Sequence, residues 1–246
     1  MAEVAHTHEH LENSLCESGR RSQYLADSVL GATDGIVTTF AVVAGAAGAY
    51  LSPGIVLIMG LANLLADGFS MAIGNYLGAR SQKEYWHEER RRETWEMEHL
   101  PHAEEEEIRR IYRRKGLEGE TLERVVEAVT ADEKRWLDEM MREELGIHEE
   151  RIAPLASGVV TFAAFALSGF LPLLSYVLVY LSPSLISSAF SISVGLTAVG
   201  LFAVGSVRCL MTQRPWWKSG FEILAVGGFA ALCAFIVGYL LRGLVG

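Results

Sequence analysis

The chain has 246 residues, of which 50% are hydrophobic and 21% are charged, and its net charge is −9. The charges are concentrated, because residues 80–151 contain 22 of the 30 acidic and 15 of the 21 basic side chains. A well-mixed soluble domain does not separate its charges in this way. The acidic excess argues against nucleic acid as a partner and favours cations.

Residues 1–24 form a polar tail that contains His6, His8 and His10 in alternation. The tail lacks the apolar core and cleavage site of a secretory signal. The three histidines are able to collect metal, but a short polar tail of this kind is more often solvated. The cysteines show no metal-ligand spacing, so we expect free thiols.

Five segments after the tail are long and apolar enough to cross a membrane, which takes about 20 mainly apolar residues. They must be helices, because a spanning segment has to satisfy its backbone hydrogen bonds internally. Pro53 and Pro183 suit the start of the second and fourth segments. The predicted spans cover residues 26–50, 54–79, 152–180, 184–208 and 220–241.

The sequence therefore predicts an all-α integral membrane protein of five transmembrane helices, with a cytoplasmic domain inserted between the second and third. Residues 25–79 form spans 1–2, residues 80–151 the inserted domain and residues 152–246 spans 3–5. The second span continues without Gly or Pro into the inserted domain and ends at Pro101. Two more helices, over about 102–115 and 120–145, complete a three-helix domain.

Orientation follows from the positions of Lys and Arg in the short connections. Arg20 and Arg21 precede the first span, and Arg208, Arg214 and Lys218 flank the connection between spans 4 and 5. The N-terminus and the inserted domain are therefore expected in the cytoplasm.

Glycine pairs on the first two spans indicate close helix packing. They are Gly31 and Gly35, Gly45 and Gly48, and Gly74 and Gly78. The spacing does not decide between contacts within one chain and contacts across a dimer.

Polar side chains within the spans are costly, so they indicate function. Span 1 contains Asp34, and span 2 contains Asn63, Asp67 and Met71, which share one helix face. Carboxylate, amide and thioether ligands together suit a divalent transition metal. The alternative is that Asp34 and Asp67 are hydrogen-bonded or protonated and have a structural role. Asp27 is expected at the membrane edge as a helix N-terminal residue.

The inserted domain repeats the combination of acids and methionine. Glutamates share faces of its first two helices, and a Met-Met pair precedes a glutamate on the third. The residues are Glu89, Glu93, Glu96, Glu104, Glu107, Met140, Met141 and Glu144. Such clusters are often solvated faces, but with methionine they favour soft-tolerant metal binding.

Two Glu-x-x-His pairs, Glu84/His87 and Glu96/His99, leave open a membrane-anchored iron-binding or ferroxidase-like protein that stores or senses metal. Both pairs lie on one helix, whereas a di-iron bundle needs them on facing helices. The chain has no Walker loop, dinucleotide-binding turn or GxSxG motif, so it is not expected to be an enzyme or to use ATP.

Three segments resemble the vacuolar iron transporter family of plants and yeast and its bacterial relatives. They are Asp34–Gly45, Gly60–Leu77 and Trp136–Gly146. The resemblance implies a homodimer in the lipid bilayer that moves Fe²⁺, and often Mn²⁺, out of the cytosol in exchange for protons. It also implies that Asp34 and Met71 bind metal in the membrane.

The cytoplasmic metal site implied by the same resemblance comprises Glu93, Glu96, Glu104, Glu107, Met140, Met141 and Glu144. One position departs from the family, because Asn63 stands where plant and yeast members have glutamate. An amide does not exchange a proton near neutral pH, so any proton route through this position is moved to Asp67 or altered.

No permanently bound cofactor is expected, and Fe²⁺, Mn²⁺, Co²⁺ and Zn²⁺ remain open as transported metals. The cell membrane is the expected location, or the vacuolar membrane if the protein is eukaryotic.

Overall fold

The computed structural model describes residues 2–147, 153–212 and 214–244, with side chains from Ser22 onward. All regular secondary structure within these residues is helical, which confirms the all-α prediction. Contacts divide the chain into two compact units. We call Met1–Leu77 with Ile152–Gly246 the membrane unit, and Gly78–Arg151 the inserted unit.

Ten α-helices occur in the described residues, accompanied by short 3₁₀ and π segments. They are α1 (Ala2–Gly48), α2 (Pro53–His99), α3 (Pro101–Arg114), α4 (Gly119–Thr130), α5 (Glu133–Glu139), α6 (Pro154–Gly169), α7 (Leu171–Leu181), α8 (Ala189–Val207), α9 (Cys209–Thr212) and α10 (Trp216–Leu241). A π-helical turn spans Met140–Glu144, and 3₁₀ turns span Pro183–Ser188 and Arg242–Leu244. Pro53 begins α2, and α2 continues to His99 just before Pro101, as the sequence predicts.

Four helical stretches in the described residues are each long and apolar enough to cross a membrane: Ser22–Gly48, Pro53–His99, Pro183–Thr212 and Trp216–Leu244. A fifth crossing is formed if α6 and α7 count as one broken span. The protein is thus a membrane protein with four to five candidate spans.

The predicted third span is bent by 48° where α6 gives way to α7. Pro172 lies in the first turn of α7 and has no N–H to donate to the carbonyl of Ser168, so the helix cannot continue straight. The carbonyl of Pro172 instead accepts a hydrogen bond from Ser193 Oγ on α8 at 2.7 Å. This hydrogen bond joins α7 to α8 just after the bend.

Helix α1 packs extensively against α6 and α10 in the membrane unit. A methyl group at Gly31 would lie 2.5 Å from the backbone oxygen of Thr161, so only glycine allows α6 to approach this closely. Gly48 packs in the same way against the backbone of Phe235 on α10. Gly74 on α2 is different, because no atom of the described chain lies within 4 Å of a Cβ built there.

The inserted unit has two small apolar clusters. The larger one joins α3, α4 and the π turn through Ile108, Leu122, Val126 and Met140. The predicted third helix, 120–145, is interrupted between α4 and α5. Asp132 ends the interruption as the N-cap of α5, where its side chain accepts a hydrogen bond from Arg135 N at 2.8 Å.

Candidate functional site

The polar residues predicted in the membrane lie on facing helices of the membrane unit. Asp34 is half-buried on α1, and Asn63, Asp67 and Met71 are half-buried on α2. Asp67 is close enough to Asp34 for their charges to repel each other. Two carboxylates that repel each other in an apolar unit favour the binding of a divalent cation, because the cation offsets this repulsion.

Asn63 lies one helical turn before Asp67, and its side-chain nitrogen is buried without a hydrogen-bond partner in the described chain. A buried amide N–H without an acceptor costs free energy. The amide therefore offers an unused polar group beside the two acids.

Asp27 does not occupy the predicted helix N-terminus. Helix α1 begins at Ala2, so Asp27 lies inside the helix, and only 5% of its surface is exposed. Its carboxylate accepts hydrogen bonds from Asn75 of α2 and Ser157 of α6. The capping prediction is wrong because the polar residues before Asp27 continue the helix.

In the inserted unit the structure brings five of the predicted glutamates together in two groups that share one member. Glu93, Glu96 and Glu104 form the first group, and Glu104, Glu107 and Glu144 form the second. In each group the three carboxylates offer oxygens within 4.8 Å of one another. Glu104 on α3 is thus the shared ligand candidate, and we call the five residues the acid cluster.

Several oxygens of this region lack hydrogen bonds. Glu93 is 1% exposed and Glu104 is 6% exposed, and the Oε2 atoms of both are buried without a hydrogen-bond partner in the described residues. Glu89 Oε2 is also buried and makes no hydrogen bond, but it forms an ion pair with Arg92 at 2.9 Å. Oxygens of this kind are what a hard or borderline divalent cation coordinates.

Arg92 supplies positive charge next to the acid cluster. Its guanidinium lies 3.2 Å from Glu93 Oε1, 2.9 Å from Glu89 Oε2 and 3.7 Å from Glu96 Oε1. Half of the Arg92 side chain is exposed, so its guanidinium is free to move away from the acid cluster. Arg92 therefore offsets part of the acid repulsion.

Burial and the neighbouring acids raise the pKa values of two carboxyl groups in the acid cluster. Burial, followed by the charges of Glu93 and Glu107, raises the pKa of Glu104 from 4.5 to about 7. Glu144 is exposed as a residue, yet burial of its carboxyl and a hydrogen bond with Glu107 raise its pKa to about 8. The metal-free cluster therefore holds protons at neutral pH, and a cation must displace them to bind.

The predicted methionine ligands lie in apolar surroundings. Met140 is fully buried in the cluster with Ile108 and Val126, whereas Met141 is 2% exposed and packs against Met97 and Leu137. Both occupy the π turn that also carries Glu144. Their side chains thus fix the position of Glu144 through packing.

The histidines of the Glu-x-x-His pairs take part in other contacts. The His99 ring stacks on the Trp95 ring, and His99 Nδ1 lies within hydrogen-bond distance, 2.8 Å, of the backbone oxygen of Trp95. The ring of His87 contacts the ring of Trp86. Neither histidine belongs to the acid groups found among the described residues. The predicted His6, His8 and His10 motif lies outside the described side chains.

Sequence reasoning missed Arg92 and the bonding partners of Asp27. No spacing signal distinguished Arg92 from the many charged residues around it in the sequence. Asn75 carried a usable signal, since it continues at four-residue spacing the row of Asn63, Asp67 and Met71.

Comparison with known proteins gives consistent matches over nearly the whole chain. The model of the VIT family matches residues 25–239. A vacuolar iron transporter of Toxoplasma gondii is 35% identical over 98% of this chain and 80% of its own length. Vacuolar iron transporter 1 of Arabidopsis thaliana is 34% identical over 87% of this chain and 84% of its own length. A vacuolar iron transporter of Plasmodium berghei is 30% identical over 96% and 89%, respectively.

Proposed function

Because the chain belongs to the VIT family, a family of transporters and not of enzymes, we propose that it exports Fe²⁺ from the cytosol in exchange for protons. The observation that carries the proposal is the close pair Asp34 and Asp67 in otherwise apolar helices. Charged groups are rare at such depth unless they serve an ion pathway.

The acid cluster of the inserted unit is the collecting site in this mechanism. Its unbonded buried oxygens at Glu93 and Glu104 supply hard ligands, and Arg92 provides a removable counter-charge. Met140 and Met141 keep the role of ligands that the family resemblance implies, which requires them to leave their apolar contacts. Metal binding releases the protons held by Glu104 and Glu144.

The membrane ligands then take the metal. Asp34 and Asp67 supply charge and Met71 a thioether, a set that suits Fe²⁺ or Mn²⁺ better than Ca²⁺ or Na⁺. Asn63 lies one turn away and contributes an amide. Protons arriving from the far side neutralise the acids and release the metal.

The direction of transport follows from topology. With the N-terminus and the inserted unit in the cytoplasm, the acid cluster collects cytosolic metal and the far side receives it. This far side is the cell exterior or, in a eukaryotic cell, the vacuole.

Two copies of the chain would complete the pathway as a homodimer. Small residues at four-residue intervals on α2, namely Ala62, Ala66, Ser70 and Gly74, are all exposed in the single chain. Each precedes by one position a residue of the polar row on the same helix. Small residues allow two helices to approach closely in a membrane, so a second α2 would pack beside the polar row.

Metal uptake into proteoliposomes tests the function. Purified protein should take up Fe²⁺ and Mn²⁺, and an opposing proton gradient should accelerate uptake of both. The result against transport would be metal binding without any uptake, as expected for a storage or sensing protein. Uptake unaffected by the proton gradient would contradict antiport alone.

A further inference from the structure

Four polar side chains from three helices of the membrane unit meet in one buried cage, formed by Asp27, Asn75, Ser157 and Thr161. Asp27 Oδ2 accepts a hydrogen bond from Ser157 Oγ at 2.6 Å, and Asp27 Oδ1 accepts one from Asn75 Nδ2 at 3.2 Å. The same nitrogen of Asn75 donates to Thr161 Oγ1 at 2.6 Å. Asp27, Ser157 and Thr161 are at most 5% exposed, and Asn75 is half-buried.

Among the described side chains, the carboxyl group of the cage has no basic partner. Helix α6, which supplies Ser157 and Thr161, contains no titratable side chain. On α1 the titratable neighbours along the helix are Tyr24, one turn earlier, and Asp34, two turns later, while Arg20 and Arg21 lie outside the described side chains. On α2 they are Tyr76, next to Asn75, Arg80, five residues after Asn75 and paired with Glu84, and Asp67, two turns before Asn75.

Helix α10 packs on the other side of α1 and begins with charged residues. Its Lys218 lies over the ring of Trp217, and its Glu222 lies 3.5 Å from Arg208 and 3.8 Å from Arg214. Among the described residues, therefore, the charge of an ionised Asp27 is met only by neutral donors. Such a charge deep in an apolar unit requires a cation at some stage, and the smallest is a proton.

The cage satisfies both protonation states of Asp27 without rearrangement of its heavy atoms. When ionised, the carboxylate accepts from Asn75 and from the Ser157 hydroxyl. When protonated, its O–H donates to Ser157 Oγ, and the Ser157 hydrogen turns to the carbonyl of Ala153 one turn back. Asn75 donates in both states, so taking up a proton leaves the three helices joined.

The cage is also separate from the metal ligands and aligned with them. Asp27 precedes Asp34 by seven residues, or two turns and about 10 Å along α1. Asn75 follows Asp67 by two turns on the antiparallel α2. The hydrogen bond between Asp27 and Asn75 and the charge repulsion between Asp34 and Asp67 thus follow one another along the same two helices.

We propose that Asp27 exchanges a proton during the transport cycle and so supplies the proton-carrying carboxyl that Asn63 cannot. This inference rests on the proposed antiport. It adds proton exchange at the Asp27 cage to the metal binding proposed for Asp34 and Asp67.

The test uses Asp27→Asn in the full-length protein in proteoliposomes. An asparagine donates to Ser157 Oγ and accepts from Asn75, so it mimics the protonated cage and preserves its structure. We expect Fe²⁺/Fe²⁺ exchange at equal pH to persist, while net uptake loses its acceleration by a proton gradient. Acceleration equal to the wild-type value would overturn the proposal, and so would loss of exchange together with loss of metal binding.

A second variant keeps the carboxyl group and covers the case in which Asp27→Asn does not fold. Ser157→Ala removes a donor that favours the ionised form, so the pH of half-maximal uptake should move upward. The matched control is Ser168→Ala on the same helix, since the Ser168 hydroxyl bonds only backbone oxygens such as that of Ala32 at 2.9 Å. An unchanged pH profile in Ser157→Ala would overturn the proposal, whereas wild-type protein that neither exchanges nor takes up Fe²⁺ would contradict the transport function itself.

Discussion

Acidic residues in the two units of the protein differ in their ion-pair partners. In the inserted unit most glutamates are paired with arginine or lysine, as in Arg109, which contacts Glu105, Glu106 and Glu123. In the membrane unit Asp27, Asp34 and Asp67 form no ion pair within the described residues. We infer that acids are available to bind metal where positive charge is missing, either inside the apolar helices or at the few unpaired oxygens of the acid cluster.

The largest expected effect concerns Asp67. Replacing it with asparagine leaves Asp34 as the only carboxylate among the proposed membrane metal ligands, so Fe²⁺ flux should fall by more than about tenfold. Asp67→Glu should recover part of the flux. Flux in proteoliposomes is the measurement, and Glu222→Gln, which removes an acid already paired with arginines, is the control. A normal rate in Asp67→Asn would limit the membrane site to Asp34 and Met71.

The next effect concerns the shared ligand of the inserted unit. Glu104→Gln removes a carboxylate from both acid groups, so the affinity for Mn²⁺ should fall about 10- to 100-fold. Equilibrium binding to the detergent-solubilised protein measures the change, in an Asp34→Asn background that suppresses the membrane site. Glu106→Gln, on the same helix but paired with Arg109, should bind normally. Equal affinities in the two variants would refute the shared-ligand assignment.

The raised pKa values of Glu104 and Glu144 predict opposite pH trends for stability and binding. Between the unfolded pKa of about 4.5 and the folded values of about 7 and 8, the folded metal-free protein binds more protons than the unfolded chain. Its free energy of unfolding should therefore decrease as pH rises through this range, while Mn²⁺ affinity increases. Thermal unfolding and binding over that range measure both, and Glu104→Gln should flatten both profiles. Stability that rises with pH in the wild type but not in Glu104→Gln would contradict the assigned protonation.

The smallest effect is expected from Arg92. Arg92→Gln removes positive charge that competes with the metal, so the affinity for Mn²⁺ should increase by only a few-fold, since half-exposed charges interact weakly. Arg124→Gln, which removes an exposed pair with Glu120, should leave affinity unchanged. A weaker affinity in Arg92→Gln would mean that Arg92 positions the acids.

Much of this architecture is predictable because membrane burial leaves a strong sequence signal. An acid in an apolar helix is conspicuous, so Asp34 and Asp67 are found directly, and Pro53 marks the start of α2. The bend at Pro172 and the break before Asp132 depend on contacts of single residues with neighbouring turns, which hydrophobic periodicity does not encode.

The acid cluster shows where prediction from sequence reaches its limit. Helical spacing and family resemblance select Glu93, Glu96, Glu104, Glu107 and Glu144, but they do not reveal that Glu104 joins the two groups. That arrangement depends on how α3 packs against the other helices. The cage around Asp27 was not predicted for the same reason, because Ser157 lies 130 residues from Asp27 and Thr161 lies 86 residues from Asn75.

The most direct test of the central claim measures Fe²⁺ flux and equilibrium Mn²⁺ binding on one preparation of Asp34→Asn. The account predicts that flux is lost while the inserted unit binds Mn²⁺ with the affinity of the wild-type acid cluster. Wild-type flux in Asp34→Asn would contradict it, because the unpaired acids of the membrane unit would then not carry the metal.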